Sequence, residues 1–168
     1  MQVVFTMNSD RDDLLRLDDA GLSAICRITF TKATGPGGQK RNKTSSAATV
    51  ELTELGLCAS DCTERSQFRN RANALHKLRM QIAMNYRKTP AVQPDNPDCS
   101  LNAAGYPLFA ARILDILAEC SFDHKSAAIF CNMSPSAFLK KIYRDPRLWQ
   151  FFQQQREKYQ LPPLHKPR

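Results

Sequence analysis

Thr34-Gly35-Pro36-Gly37-Gly38-Gln39-Lys40-Arg41-Asn42-Lys43-Thr44 stands between two stretches of alternating polarity. Before it, Cys26, Ile28 and Phe30 alternate with Arg27, Thr29 and Thr31; after it, Ala48, Val50 and Leu52 alternate with Thr49, Glu51 and Thr53. A period of two marks a strand with one buried face, so the segment reads as a loop rooted at both ends in one sheet. The paired glycines tolerate positive φ and let another molecule's atoms approach the main chain. Pro36 stiffens the entry. Lys32, Lys40, Arg41 and Lys43 crowd the flanks, and no aspartate or glutamate occurs between Asp19 and Glu51. The loop is therefore shaped to press backbone against something large and anionic, with no local carboxylate to act as a general base. Gly-Pro-Gly-Gly in isolation reads as a surface turn; the surrounding residues decide otherwise.

Downstream, Gly56 marks a turn, and Leu57 to Cys62 is expected to return as a third strand. Ser66 is placed to cap a long helix, with Phe68, Ala72, Leu75, Leu78, Ile82 and Tyr86 as its core stripe. Arg65, Arg69, Arg71, Lys77 and Arg79 lie mostly off that stripe. A charge run on a helix is usually a solvated face, but these charges share one sign and lack acidic i,i+4 partners, which points to phosphate contact. Upstream, Ser9 to Leu15 reads as the capped, acidic first turn of a short helix, and Asp18-Asp19 as the cap of a second through Ala24. Both are expected to pack on the following domain with a structural role.

From Thr89 to Pro107 the pattern breaks: four prolines fall among Gln, Asn, Asp and Ser, as in a linker. Beyond it, Leu108, Phe109, Ile113, Leu114, Ile116 and Leu117 predict an amphipathic helix, and Asp123 caps a second through about Cys131. Ser134-Pro135 and Asp145-Pro146 each read as an N-cap followed by proline at the first helical position, opening two more. Lys125 to Lys141 has the length and turn of a helix-turn-helix, though a plain helical bundle explains it better. Lys140, Lys141, Arg144 and Arg147 are candidates for RNA-backbone contact.

The net charge is +8, concentrated between Thr31 and Lys88, where eleven basic residues face four acidic ones. Such a basic middle segment is the electrostatic footprint of a nucleic-acid binder. The six cysteines follow no secretory leader and sit mostly among apolar residues, so they are expected as reduced core positions of a cytoplasmic protein. Cys58 and Cys62 have no second pair at ligand spacing, so no metal is expected, and no run is long enough to span a membrane.

Gly35-Pro36-Gly37-Gly38-Gln39, then Asn42-Lys43-Thr44, Ser46-Ala47, and Glu64-Arg65-Ser66-Gln67 with Asn70 and Ala74-Leu75 form a joint pattern. It resembles the catalytic domain of the class I peptide chain release factors, over roughly residues 22 to 88. The resemblance implies hydrolysis of the ester joining a peptide to tRNA in the large ribosomal subunit. Gln39 would present its backbone N–H to the reacting centre and its side chain to the attacking water. Gly37 and Gly38 would permit that conformation, and Gly35, Pro36, Asn42 and Thr44 would support the loop. Lys32, Lys40, Arg41, Lys43, Arg65 and Arg69 would lie near RNA phosphates. In the family this glutamine is also a target of N5-methylation, which would make a glutamine methyltransferase a partner. Lys40-Arg41 stands where family members often carry His-Val, and Thr49 where they often carry Arg. These departures suit a ribosome-rescue homologue better than a standard termination factor.

Standard class I factors are about twice as long and carry a stop-codon-reading domain, which is not recognised here. The reading is accordingly of a codon-independent peptidyl-tRNA hydrolase, monomeric and cofactor-free, with the large-subunit rRNA and peptidyl-tRNA as partners. Two alternatives stay open: a non-catalytic ribosome- or RNA-binding factor using the same basic loop, and a DNA-binding regulator resting on the helix-turn-helix likeness. The expected fold is α+β, with a small mixed or antiparallel sheet bearing a protruding Gly-Gly-Gln loop and packed on a long helix, then a small all-α domain. The expected divisions are a catalytic domain at 1–88, a proline-rich linker at 89–107 and a helical domain at 108–168.

Overall fold

The computed structural model describes residues 10–32, 46–90 and 99–166. The fold is α+β, and the chain divides into two compact units, Met1–Ile82 and Ala83–Arg168. In the first, α1 (Arg11–Arg16) starts where the Asp10 carboxylate accepts from the Asp12 N–H, and α2 (Asp19–Ile25) where Asp18 accepts from the Gly21 N–H. Leu14, Leu15 and Leu22 are buried, so both short helices contribute to the core as expected.

Three antiparallel strands follow in the order β1 (Arg27–Thr31), β2 (Ala47–Leu52), β3 (Leu57–Asp61). In register, Thr31 faces Ala47, Ile28 faces Val50, and Val50 faces Ala59. Ala48, Val50 and Leu52 of the central strand are buried with Ala59 and Asp61 of β3, as period-two alternation requires. A 3-10 turn at Thr53–Leu55 ends at Gly56, whose φ of +62° is the left-handed conformation that favours glycine. The buried face expected of β1 is absent. Cys26 and Ile28 are half-buried, and Phe30 is 40% exposed. The reason is position: β1 is an edge strand, and the helix that covers the sheet fastens to Ser46, Ser60 and Asp61, beside β2 and on β3.

That helix is α3 (Gln67–Asn85), and the division between units falls within it. It opens at Ser66, whose hydroxyl accepts from the Arg69 N–H at 3.4 Å and whose carbonyl accepts from the Asn70 N–H at 3.0 Å. Its buried residues include Asn70, Ala74, Leu75, Leu78 and Ile82. Phe68, expected to begin the core stripe, is instead 71% exposed. Two residues are about 200° of helix, so with Asn70 turned inward Phe68 must face out.

The second unit contains α4 (Tyr106–Glu119), α5 (His124–Phe130), α6 (Pro135–Tyr143) and α7 (Pro146–Lys158). Asp123, Ser134 and Asp145 cap the last three, with proline at the start of α6 and α7. Such caps are worth about 1 kcal/mol each. Helix α4 is more deeply covered than an amphipathic helix: Tyr106, Phe109, Ala110, Ala111, Ile113, Leu114, Ile116 and Leu117 are all buried. It packs with Phe122, Ala127, Ala128, Phe138, Ile142, Leu148 and Phe152 as the unit's core. Arg144, read as a candidate for RNA contact, faces inward. It donates to the Cys99 carbonyl, and its guanidinium lies over the Phe109 and Tyr106 rings at 5.3 and 5.9 Å. Lys140 and Arg147 are exposed and Lys141 is half-buried.

Candidate functional site

The chain leaves the sheet after Thr31 and re-enters at Ala47, and those two residues are register partners. The roots of the glycine segment are therefore fixed side by side at one end of the β1–β2 pair. Gly35, Pro36, Gly37, Gly38, Gln39, Lys40, Arg41, Asn42, Lys43 and Thr44 lie outside the described residues.

Ser46, at the second root, is buried, and its carbonyl accepts from the Asn70 side-chain amide at 2.6 Å. The same amide donates to the Glu64 carbonyl at 2.9 Å, while the Asn70 Oδ1 accepts from the Glu64 N–H at 2.8 Å. Asn70 is fully buried, and its bond to the buried Ser46 carbonyl satisfies groups that water does not reach, while the two to Glu64 are partly exposed. One side chain thus joins the loop root, the turn before α3 and the helix itself. This positioning role explains why Glu64-Arg65-Ser66-Gln67 and Asn70 belong to one pattern. The available signal was an asparagine inside a helix, where its propensity is poor.

Asp61 secures the same corner from β3. It is buried and pairs with the Lys77 Nζ at 2.6 Å. It also accepts from the Thr63 hydroxyl at 2.7 Å, the Thr63 N–H at 3.0 Å and the Asn73 amide at 3.4 Å. Burial alone would push its pKa up; the bonds from Lys77, Thr63 and Asn73 outweigh that and hold it at about 2. Asp61 is thus a carboxylate anchor and not a proton carrier at neutral pH.

The cations sort into two groups. Lys77 is neutralised by Asp61, while Arg79 is buried, donating to Asp19 at 2.8 Å and to the Leu17 carbonyl at 2.9 Å. These two, read from sequence as outward charges, hold the first unit together. Lys32, Arg65 and Arg69 are exposed, and the Asn70–Ser46 bond brings the start of α3 to the sheet end where the glycine segment is rooted. Arg69 approaches Glu64 at 3.8 Å with both side chains exposed, a weak attachment. Three of the candidate phosphate-contacting residues therefore share one end of the unit.

All six cysteines are free; contrary to the core positions expected, Cys58 is exposed and the others are half-buried. Burial pushes the thiols of Cys26, Cys120 and Cys131 up, away from the thiolate, so none of these three is an activated nucleophile. Among the described residues, no group of three or more His, Cys, Asp or Glu side chains could hold a metal ion, and no helix is long and apolar enough to cross a membrane.

Residues 23–100 match the RF-1 domain model. The chain is similar to peptide chain release factor 2 of Bordetella avium (strain 197N), 28% identical over 119 residues, covering 67% of this chain and 32% of the relative. Peptide chain release factor 1 of Salinibacter ruber is 34% identical over 107 residues, covering 64% of this chain and 30% of the relative. Peptide chain release factor 2 of Paramagnetospirillum magneticum is 42% identical over 57 residues, covering 34% of this chain and 15% of the relative. The match over residues 23–100 and these relatives support the class I release factor catalytic domain family for that stretch of the chain. The chain spans about a third or less of the length of these relatives.

Proposed function

We propose that this protein hydrolyses the ester of peptidyl-tRNA in the large ribosomal subunit without reading a codon, as a cytoplasmic ribosome-rescue factor. The observation that carries the reading is Gly37-Gly38-Gln39, held in sequence between the register partners Thr31 and Ala47 of a matched RF-1 stretch. Water attacks the ester carbonyl, a backbone N–H at Gln39 stabilises the oxyanion, and the bond to the tRNA ribose oxygen breaks. The ribose oxygen takes one of the water's protons, the peptide leaves as its carboxylate, and the other proton passes to solvent. No side-chain base is required of the loop, because positioning and oxyanion stabilisation carry the step. Around residues 23–100 lie α1, the start of α2 and the helical unit, and none of them is required to read a stop codon. Gln39 is the candidate for N5-methylation by a glutamine methyltransferase, and the protein acts as a monomer on the ribosome.

The test is release of labelled peptide from stalled ribosomes, with and without a stop codon in the A site. Wild type is expected to release equally in both, while Gly38→Ala, whose added Cβ disfavours the backbone pose that presents the Gln39 N–H, loses about 100-fold or more, the scale of one oxyanion donor. Gln39→Ala, which keeps that N–H and loses only the side chain at the attacking water, is expected to lose less. Equal release by all three proteins overturns the proposal. Tight, salt-sensitive binding to large subunits without turnover replaces it with a non-catalytic RNA-binding role, which Lys40-Arg41 and Thr49 would then explain. Release only with a stop codon overturns codon independence alone.

A further inference from the structure

Phe68 is an anomaly for its residue type. A phenylalanine that can be buried normally is, yet 71% of this one is exposed, and among the described large apolar residues only Ile129 is more so. The inward position on the first turn of α3 is taken by Asn70, which the loop root requires, so Phe68 is held outward by the same geometry that fixes the candidate site.

Its surroundings are cationic. The Arg71 guanidinium lies 5.7 Å from the ring centroid, a cation–π contact that orients the ring. Arg65 and Arg69 are exposed on either side in sequence, and Lys32 follows β1 at the same end of the sheet. Helix α3 contains no acidic residue, and the nearby Glu64 is only loosely attached to Arg69. Arg65 makes no ion pair among the described residues, whereas Lys77 and Arg79, further along the helix, have Asp61 and Asp19. Uncompensated charge is therefore gathered around the most exposed aromatic ring among the described residues. A protein groove would want further apolar surface about Phe68, but beside it on the helix, three and four residues on, stand Arg71 and only the small, half-buried Ala72. A nucleotide has both complements: a flat face for the ring and phosphates for the arginines.

We propose that Phe68 is a stacking platform for an unpaired base of ribosomal RNA, with Arg65, Arg69 and Arg71 on the flanking phosphates. This rests on the ribosomal reading above and adds to it a contact outside the glycine segment.

The test is equilibrium binding of the full chain to purified large ribosomal subunits, with chemical footprinting of the rRNA bases. Because Phe68 is exposed, its variants are expected to unfold at the wild-type urea midpoint. Phe68→Tyr, which keeps the π face, is expected to bind like wild type. Phe68→Ala and Phe68→Leu are expected to bind about tenfold more weakly, within the range for losing one base stack, and to lose protection of one unpaired base. Wild-type binding by Phe68→Ala, or by Phe68→Leu alone as an apolar protein contact would allow, overturns the proposal. Gly38→Ala separates the two claims, since it is expected to lose release and keep both binding and the footprint. If Gly38→Ala loses release while Phe68→Ala binds normally, stacking fails and the hydrolase stands. If wild type does not bind large subunits, both fall.

Discussion

Asn70 ties three segments with one amide, and no other side chain replaces it. Asn70→Ala takes the amide partner from the buried Ser46 carbonyl and from the partly buried Glu64 N–H and carbonyl. Each such loss costs about 1–3 kcal/mol, partly relieved by relaxation, so the variant is expected to unfold about 3 kcal/mol more easily by urea titration. Asn70→Leu, with similar volume and no hydrogen bonds, is expected to lose as much. Asp61 adds a pH signature. Its pKa is lowered from 3.8 to about 2 on folding, so its contribution is fully present above pH 3.8 and disappears as the pH falls through about 2. The linkage is worth about 2 kcal/mol. Asp61→Asn is expected to flatten that part of the acid-unfolding curve, measured by circular dichroism between pH 5 and pH 2, and to lower stability at neutral pH because Lys77 loses its partner.

Elements respond to the chemistry of their ends. Between α4 and α5, Ser121 and Phe122 both adopt left-handed backbone, with φ of 51° and 59°. Phe122 is held there by burial, by its ring 5.4 Å from that of Tyr159, and by Arg156 donating to its carbonyl at 2.9 Å. Ser121 is exposed, and its side chain makes no hydrogen bond among the described residues to offset the strain. Ser121→Gly is expected to stabilise the protein by about 1 kcal/mol, read as a higher thermal midpoint. At Asp145, whose carboxylate accepts from the Arg147 and Leu148 N–H groups at 2.9 and 3.4 Å, substitution by alanine is expected to cost about 1–2 kcal/mol. These ends were legible in the sequence because a cap is a local event: Asp10, Asp18, Ser134 and Asp145 act within three residues of themselves. The period of β2 was legible for a related reason, since a central strand shows its alternation whatever covers it. Edge position and helix rotation are not local. Phe30 alternates correctly and remains exposed because nothing among the described residues fully covers β1, and Phe68 fits a helical stripe that Asn70 turns away from the core.

Over the whole molecule, the net charge of +8 divides into charge used inside and charge left for a partner, and this division was the least legible feature of the candidate site. Sequence spacing grouped Arg65, Arg69, Arg71, Lys77 and Arg79 on one helix without local acids. The acids that neutralise the last two come from Asp61 and Asp19, 16 and 60 residues away in the chain. The distinction has a measurable consequence if the partner is RNA. Each phosphate contact contributes about 0.7–0.9 to the slope of log affinity against log salt. Replacing Arg65, Arg69 and Arg71 together by glutamine is expected to flatten that slope by about 2 for binding to large ribosomal subunits, with little change in stability. Arg79→Met is expected to do the reverse: the slope stays at the wild-type value, while stability falls by about 2 kcal/mol as Asp19 and the Leu17 carbonyl lose their donor. A flattened slope in Arg79→Met, or an unchanged one in the triple variant, would mean that the outward arginines at the start of α3 are not the ones that meet phosphate.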